Sequence, residues 1–362
     1  MSLISPADTT LSHHAPDGRF DNPWGTWQET GLRGVLKWQL DRRAKKVPQG
    51  GWLLENRSPT SKDFLSAFPL HQLDTATLSD AGGDYVTAVW MGHASVLVKM
   101  EGITFLTDPV FSQRCSPVQW AGPKRFVPAP RLDKSILPRL DFVIISHNHY
   151  DHLDYGTVVQ LHKQYGDDLT WYVPLGLQKW FHSCKITNVK ELDWWQSVQH
   201  RDSPVTVTMT PAQHWSSRNG ADRRQTLWGG YAVLGEKLRF WFAGDTGYCP
   251  VFKEIGRRLG PFDLSAIPIG AYEPRDFMKP QHVNPQEAVQ IHQDVRSMQS
   301  IGIHCCTFYL TDEALNEPPQ LLVKEAATAK LPHGSFVTLQ HGACLKTAGG
   351  LARNEPPLLG IA

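Results

Sequence analysis

The 362-residue chain has no uninterrupted apolar run near the roughly 18 residues that a membrane-spanning helix needs. It has no excess of either charge: 36 Lys+Arg stand against 35 Asp+Glu. That balance argues against a nucleic-acid partner, because such binding draws on a surplus of cations. Cysteine is sparse. The six (115, 184, 249, 305, 306, 344) form no CxxC pair, which fits a reducing compartment better than a disulfide framework. The adjacent Cys305 and Cys306 are read as buried apolar residues, with metal chelation the alternative. Residues 1–20 lack a basic segment followed by an apolar one, so no secretory signal is expected. The expected location is cytoplasmic or at a membrane periphery. Internal repeats and low-complexity linkers are absent too. With 41% hydrophobic and 20% charged residues, wholesale disorder is excluded.

What is plentiful is histidine, with 16, and tryptophan, with 13. The first counts as potential metal ligands, the second as an aromatic interface or deep pocket. The chain divides into an N-terminal extension (1–80), a main domain (81–346) and a tail (347–362). In the extension, Leu32, Val35, Leu36 and Leu40 fall at helical spacing among Arg33, Lys37, Arg42, Arg43, Lys45 and Lys46. Trp24, Trp27, Trp38 and Trp52 flank or interleave this stretch. A basic amphipathic helix with Trp can lie on an anionic membrane. The same pattern also suits a helix packed by its Leu/Val face with solvated cations, and both readings of 31–46 stay open.

From Tyr85 the signals are strands. Tyr85–Met91, Ser95–Met100 and Ile103–Thr107 are short runs separated by turns. Asp141–Ser146 is continuously apolar, as for a strand buried on both faces. Val205–Met209 alternates, and Leu238–Ala243 is strand-like. Helices are predicted over Gly156–Tyr165, Gly176–Cys184, Pro285–Val295 and Gln320–Lys330. The third has a clear start: Asn284 caps, Pro285 suits the first position and Glu287 completes a capping box. Interleaved strands and helices predict a layered α/β domain.

The decisive segment is Ser146-His147-Asn148-His149-Tyr150-Asp151-His152-Leu153-Asp154, directly after the buried strand. Neutral imidazoles with carboxylates form a donor set suited to zinc. His147 and His149 are two apart, so an extended backbone puts them on one side. Asp151 and His152 follow on the turn and reach a second point. That geometry fits two metals. His214, Asp245 and His304 each follow a strand-like run, and glycines at 244 and 247 let the chain turn at Asp245.

HxHxDH with a later His, Asp and His resembles the metallo-β-lactamase superfamily. The resemblance implies an αββα sandwich with a dinuclear site at one edge. By motif it puts His147, His149 and His214 on one metal, Asp151, His152 and His304 on the second, and Asp245 between them. Asp108, in a TDP motif, would orient a ligand. His93 and His282 are read as supporting groups. The motifs Trp90–Ser95, Ser116–Phe126, Ser146–Tyr155, Glu191–Trp195, Phe242–Gly256 and Ala266–Val289 resemble, more narrowly, the N-acylphosphatidylethanolamine-hydrolysing phospholipase D family. The resemblance spans about Tyr85 to Cys344. It departs at Cys305-Cys306, where the family has Trp-Gly, at Trp120, where Tyr is usual, and at Asp276, where Trp is usual.

The family implies hydrolysis of N-acylphosphatidylethanolamine to N-acylethanolamine and phosphatidic acid. The nucleophile would be a hydroxide bridging two Zn²⁺ ions, attacking phosphorus. Asp151 is a candidate proton carrier. Gln119, Trp120 and Gln281 would line the head-group pocket, Tyr150 would shape its mouth, and Lys124 or Arg125 could meet phosphate. A phospholipid substrate, a membrane surface and a homodimer are the implied partners. Two alternatives stand: a hydrolase of this fold acting on another ester, lactone or phosphodiester, and a non-catalytic metal-binding scaffold.

Overall fold

The computed structural model describes residues 13–29, 31, 34, 36–38, 40, 61–73 and 84–347. Arg33, Arg42, Arg43, Lys45, Lys46 and Trp52 lie outside the described residues, as does the tail beyond Thr347.

Two seven-stranded mixed sheets face each other. The first contains β1 (Thr87–Gly92), β2 (Ser95–Met100), β3 (Ile103–Thr107), β4 (Phe142–Ile144), β5 (Thr170–Pro174) and β6 (Val189–Leu192), in sequence order across the sheet. The second runs from β7 (Ser197–Gln199) through β8 (Thr206–Thr210), β9 (Gly230–Leu234), β10 (Arg239–Phe242), β11 (Phe262–Pro268) and β12 (Ser297–Ile303) to β13 (Phe336–Thr338). The last strand, β14 (Cys344–Lys346), returns to pair with β1 in the first sheet.

Strand side chains alternate between faces, and here both faces are covered. In the first sheet Val96, Val98, Phe105, Phe142, Ile144 and Tyr172 join the core shared with the second sheet. Their neighbours Leu97, Leu106, Val143, Trp171 and Val173 join an outer layer. Helices Tyr155–Tyr165 and Gln178–Ser183 cover that layer with Val158, Leu161 and Phe181. Over the second sheet, helices Val251–Arg258, Pro285–Asp294 and Glu317–Thr328 contribute Phe252, Ile255, Ile291 and Leu322. This is the expected αββα sandwich. The Asn284 capping box is present, with Asn284 Oδ1 accepting from Glu287 N at 2.9 Å.

Six tryptophans (90, 171, 194, 195, 228 and 241) are buried, so much of the Trp count is core. Residues 13–29 pack on the sandwich: Phe20 is buried, and Trp24 stacks on Trp194 at 5.4 Å. Further on, Gly34, Leu36, Lys37, Trp38 and Leu40 are helical. Trp38 stacks on Phe277 at 5.3 Å, and its indole N–H donates to Asp312 at 3.0 Å. Leu36 and Leu40 are 61% and 55% exposed. Among the described residues of this helix Trp38 is the one seen packed, and only partly buried, while those two leucines face outward; Leu32 and Val35 lie outside the described residues.

Candidate metal centre

The site assembles at strand ends. From the first sheet come the β1–β2 turn (His93), the end of β3 (Asp108) and the segment after β4 (Ser146–His152). From the second come the segments after β8 (His214), β10 (Asp245) and β12 (His304). Chains leaving neighbouring strands of facing sheets converge there. Residues up to 211 positions apart in sequence (His93 and His304) come into ring contact, with centroids 4.0 Å apart.

Three histidines form one group: His149 Nδ1 lies 2.8 Å from His147 Nε2 and 3.3 Å from His214 Nε2. His93, Asp151, His152 and His304 form another. Asp151 Oδ2 lies 2.9 Å from His93 Nε2 and 3.4 Å from both His152 Nε2 and His304 Nε2. Asp245 Oδ2 sits between the groups. It is 3.0 Å from His152 Nε2, 3.1 Å from His304 Nε2, 3.8 Å from His214 Nε2 and 3.9 Å from His147 Nε2. His282 Nδ1 adds a further approach at 3.9 Å.

Hydrogen bonds behind the rings set which nitrogen faces inward. His152 Nδ1–H donates to Asp108 Oδ2 at 2.6 Å. Ser146 N donates to Asp108 Oδ1 at 2.7 Å, and Ser146 Oγ–H donates to Asp108 Oδ2. His147 Nδ1–H donates in turn to Ser146 Oγ at 2.9 Å. His214 Nδ1–H donates to the Gln281 carbonyl at 3.0 Å. In each of these rings Nε2 is the nitrogen aimed at the cluster.

Those inward atoms are what a cation would satisfy. His152 Nε2, His304 Nε2 and Asp245 Oδ1 are buried without a well-aligned hydrogen bond. Burial pushes His214 down to about 3 and His149 to about 4, so these imidazoles are neutral donors. Burial also opposes charge on His304, but Asp245 and hydrogen bonding to Asp151 outweigh it and raise the ring to about 9. Burial disfavours the charged carboxylate of Asp245, yet His152 and His304 hold its carboxyl well below the usual range. A buried set of imidazoles around anionic carboxylates has the donor chemistry of a divalent transition-metal centre. The same carboxylates and Asp108 raise His152 well above the usual imidazole range against its burial, so His152 and His304 would both release a proton on binding.

Asp108→Asn would turn an acceptor-only group into one that presents N–H to Ser146 or His152. The expected result is a loss of about 10–100-fold in metal affinity or activity. Metal titration of the purified variant checks it, and unaltered affinity would remove Asp108 from this role.

The residues expected to bind substrate are placed less uniformly. Trp120 is 82% exposed on its loop. Gln119 is exposed too, and its amide closes that loop, accepting from Arg114 N at 3.1 Å and donating to Arg114 O at 3.0 Å. Gln281 is buried, and its side-chain oxygen accepts from Trp215 Nε1 at 2.5 Å. Tyr150 packs under the Arg218 guanidinium at 4.0 Å. Arg125 is buried, its guanidinium without a hydrogen-bond partner and beside Phe308. Cys305 and Cys306 are buried, and among the described residues no metal-capable group includes them.

Two supporting residues have no signal in the sequence. Arg218 Nη1 donates to Asn148 O (2.9 Å) and Leu153 O (2.8 Å), clamping both ends of the HxHxDH loop. Asn22 brackets the His214 peptide: its Nδ2 donates to His214 O at 2.7 Å, and its Oδ1 accepts from His214 N at 3.1 Å. Thr26 Oγ1 donates to Gln213 Oε1 next door. Neither residue lies in a ligand-like spacing, and only the fold brings them to the centre.

Fold and site together define a metallo-hydrolase of the metallo-β-lactamase type. Residues 104–305 match the beta-lactamase superfamily domain. A solved metallo hydrolase from the archaeon Ignicoccus hospitalis overlays with a TM-score of 0.53 at 16% identity, covering 73% of this chain and 99% of the other. Within that class the chain belongs to the N-acylphosphatidylethanolamine-hydrolysing phospholipase D family. It is 45% identical to N-acyl-phosphatidylethanolamine-hydrolyzing phospholipase D 1 of Caenorhabditis elegans, over 89% of this chain and 91% of the relative. It is also 34% identical to the mitochondrial N-acyl-phosphatidylethanolamine-hydrolyzing phospholipase D of Saccharomyces cerevisiae, over 64% of this chain and 50% of that one. Among the described residues no helix is long and apolar enough to cross a membrane.

Proposed function

We propose that the protein is a zinc-dependent phosphodiesterase that hydrolyses N-acylphosphatidylethanolamine to N-acylethanolamine and phosphatidic acid. The observation that carries the reading is the position of Asp245 Oδ2, within 3.9 Å of imidazole nitrogens from both histidine groups. His147, His149 and His214 would hold one ion, Asp151, His152 and His304 the second, and Asp245 both. Two such ions supply a Lewis acid for the phosphoryl oxygen and a source of hydroxide at neutral pH.

The chain's own groups do the rest. Asp108 and the Gln281 carbonyl fix the tautomers of His152 and His214. His93 holds Asp151, whose carboxylate is partly open to solvent and would take a proton from the attacking water. Buried walls keep the field of Asp245 unscreened. Incubation with N-acylphosphatidylethanolamine and mass analysis of both products tests the reading, with Asp245→Asn as control. No product from protein carrying two zinc ions would end it.

The reading extends to an interfacial enzyme working as a homodimer at a membrane surface, either free in the cytoplasm between encounters or bound at the membrane periphery. Exposed Trp120, Leu36 and Leu40 support contact with lipid, and Arg42, Arg43, Lys45 and Lys46 supply the charge. Each cation near an anionic surface contributes on the order of 1 kcal/mol. Replacing those four by Gln is expected to abolish flotation with anionic vesicles. Unchanged flotation would remove the electrostatic part. Sedimentation velocity tests the dimer.

A further inference from the structure

We propose that His13, His14 and Asp193 form a further metal site, taking one divalent transition-metal ion of the zinc type and pinning the N-terminal segment to the sandwich. It shares no residue with the cluster around Asp245.

The geometry is unusual for neighbours in sequence. Consecutive side chains along an extended chain point to opposite sides. Here both rings converge on one carboxylate, with centroids 4.4 Å apart. His13 Nε2 lies 2.6 Å from Asp193 Oδ1, and His14 Nε2 lies 2.7 Å from Oδ2. All three ligand atoms fall within 4.8 Å of one another.

The groups are held from behind, as ligands are in metal sites. Trp194 N donates to Asp193 Oδ1 at 2.7 Å. The His13 ring stacks on Trp194 at 4.1 Å, and His14 meets Phe20 edge-on at 5.2 Å. His14 is half exposed, so solvent reaches the group. Two imidazoles and a carboxylate form a zinc-type donor set, with bonds of about 2.0–2.2 Å. Inserting the ion would spread the donor atoms to about 3.3 Å from one another. The central cluster shows the same contraction, with His147 and His149 nitrogens 2.8 Å apart.

The ion would join residues 179 positions apart, closing a very long loop. The segment it secures carries Asn22, which brackets the His214 peptide. The site would therefore hold that bracket in place from a distance.

Zinc alone is the probe, on untagged full-length protein. After equilibrium dialysis, the wild type is expected to hold one zinc ion per chain more than H13Q/H14Q. The comparison is repeated in an H147Q/H149Q background, where the central cluster is already disabled, so that an ion lost there through the Asn22 bracket is not counted as one lost here and the result is independent of the phosphodiesterase reading. Equal zinc contents would overturn the site. A second measurement needs no variant. Diethyl pyrocarbonate labelling of His13 and His14, read by mass spectrometry, should slow about tenfold at zinc ten times above its dissociation constant. Equal labelling with and without zinc would overturn it as well.

Discussion

Asp245→Asn is expected to lower turnover by at least about 10³-fold, roughly 4 kcal/mol on the barrier, while changing KM far less. The substitution keeps size and shape but removes one negative charge. That charge faces His152, His304, His214 and His147, all within 3.9 Å of Oδ2. The carboxylate is buried, so its field is worth more than at a surface. An amide oxygen can still ligate, but it neutralises no cation and would bridge two poorly. Turnover of the phospholipid and metal content, measured on the same preparation, separate lost chemistry from lost metal. A variant within tenfold of wild type would show that Asp245 is not the shared group.

Gly244→Ala is expected to destabilise the fold by about 2–4 kcal/mol and to lower metal retention with it. Gly244 has φ +63°, where a side chain is strained. A Cβ there would lie 2.7 Å from Gly229 O and 2.8 Å from Ser146 Cβ. Gly229 is itself tied to this corner, its N donating to Ser146 O at 3.0 Å. Relief would have to push Ser146 back, and Ser146 links Asp108 to His147. The damage therefore reaches the proposed ligands His147 and Asp245 on both sides of the turn. Urea denaturation and zinc analysis check it. A loss below about 0.5 kcal/mol, the range of an indifferent surface change, would show that the corner relaxes freely.

Much of the site is readable from the chain because its chemistry is locally dense. His147, His149, Asp151 and His152 lie within six residues after an apolar run, and few other environments suit them. The strands Ser95–Met100 and Ile103–Thr107 are found at their predicted bounds, since turns frame them on both sides. Others have no such signal. β11 (Phe262–Pro268) is buried on both faces and holds Asp263, Ser265 and Pro268, so neither alternation nor a pure apolar run marks it. β5 and β9 do carry apolar runs, Trp-Tyr-Val and Tyr-Ala-Val-Leu, but at this length periodicity does not tell a buried strand from a buried helix segment. Helix Val251–Arg258 follows the GDTGY turn, and its Val251, Phe252 and Ile255 lie at helical spacing inside the segment Phe242–Gly256, read for its motif and not for its periodicity.

The supporting residues are harder still. Gln281 is a candidate for reading a substrate amide, but the atom it turns toward the centre is its backbone carbonyl, on His214. A backbone group carries no sequence label. Asn22 stands 192 residues from the peptide it brackets, and Arg218 lies 65 and 70 residues from the carbonyls it clamps. Nothing in local spacing announces either.

The sequence by itself determined the donor types, their order along the chain and the family, because donor chemistry and motif spacing are properties of residues. Only the tertiary structure decided which nitrogens face inward, that Asp245 stands between the two histidine groups, and that the N-terminal segment reaches His214. Those outcomes depend on where two facing sheets bring their strand ends, and therefore on packing and hydrogen bonds between residues far apart in the chain.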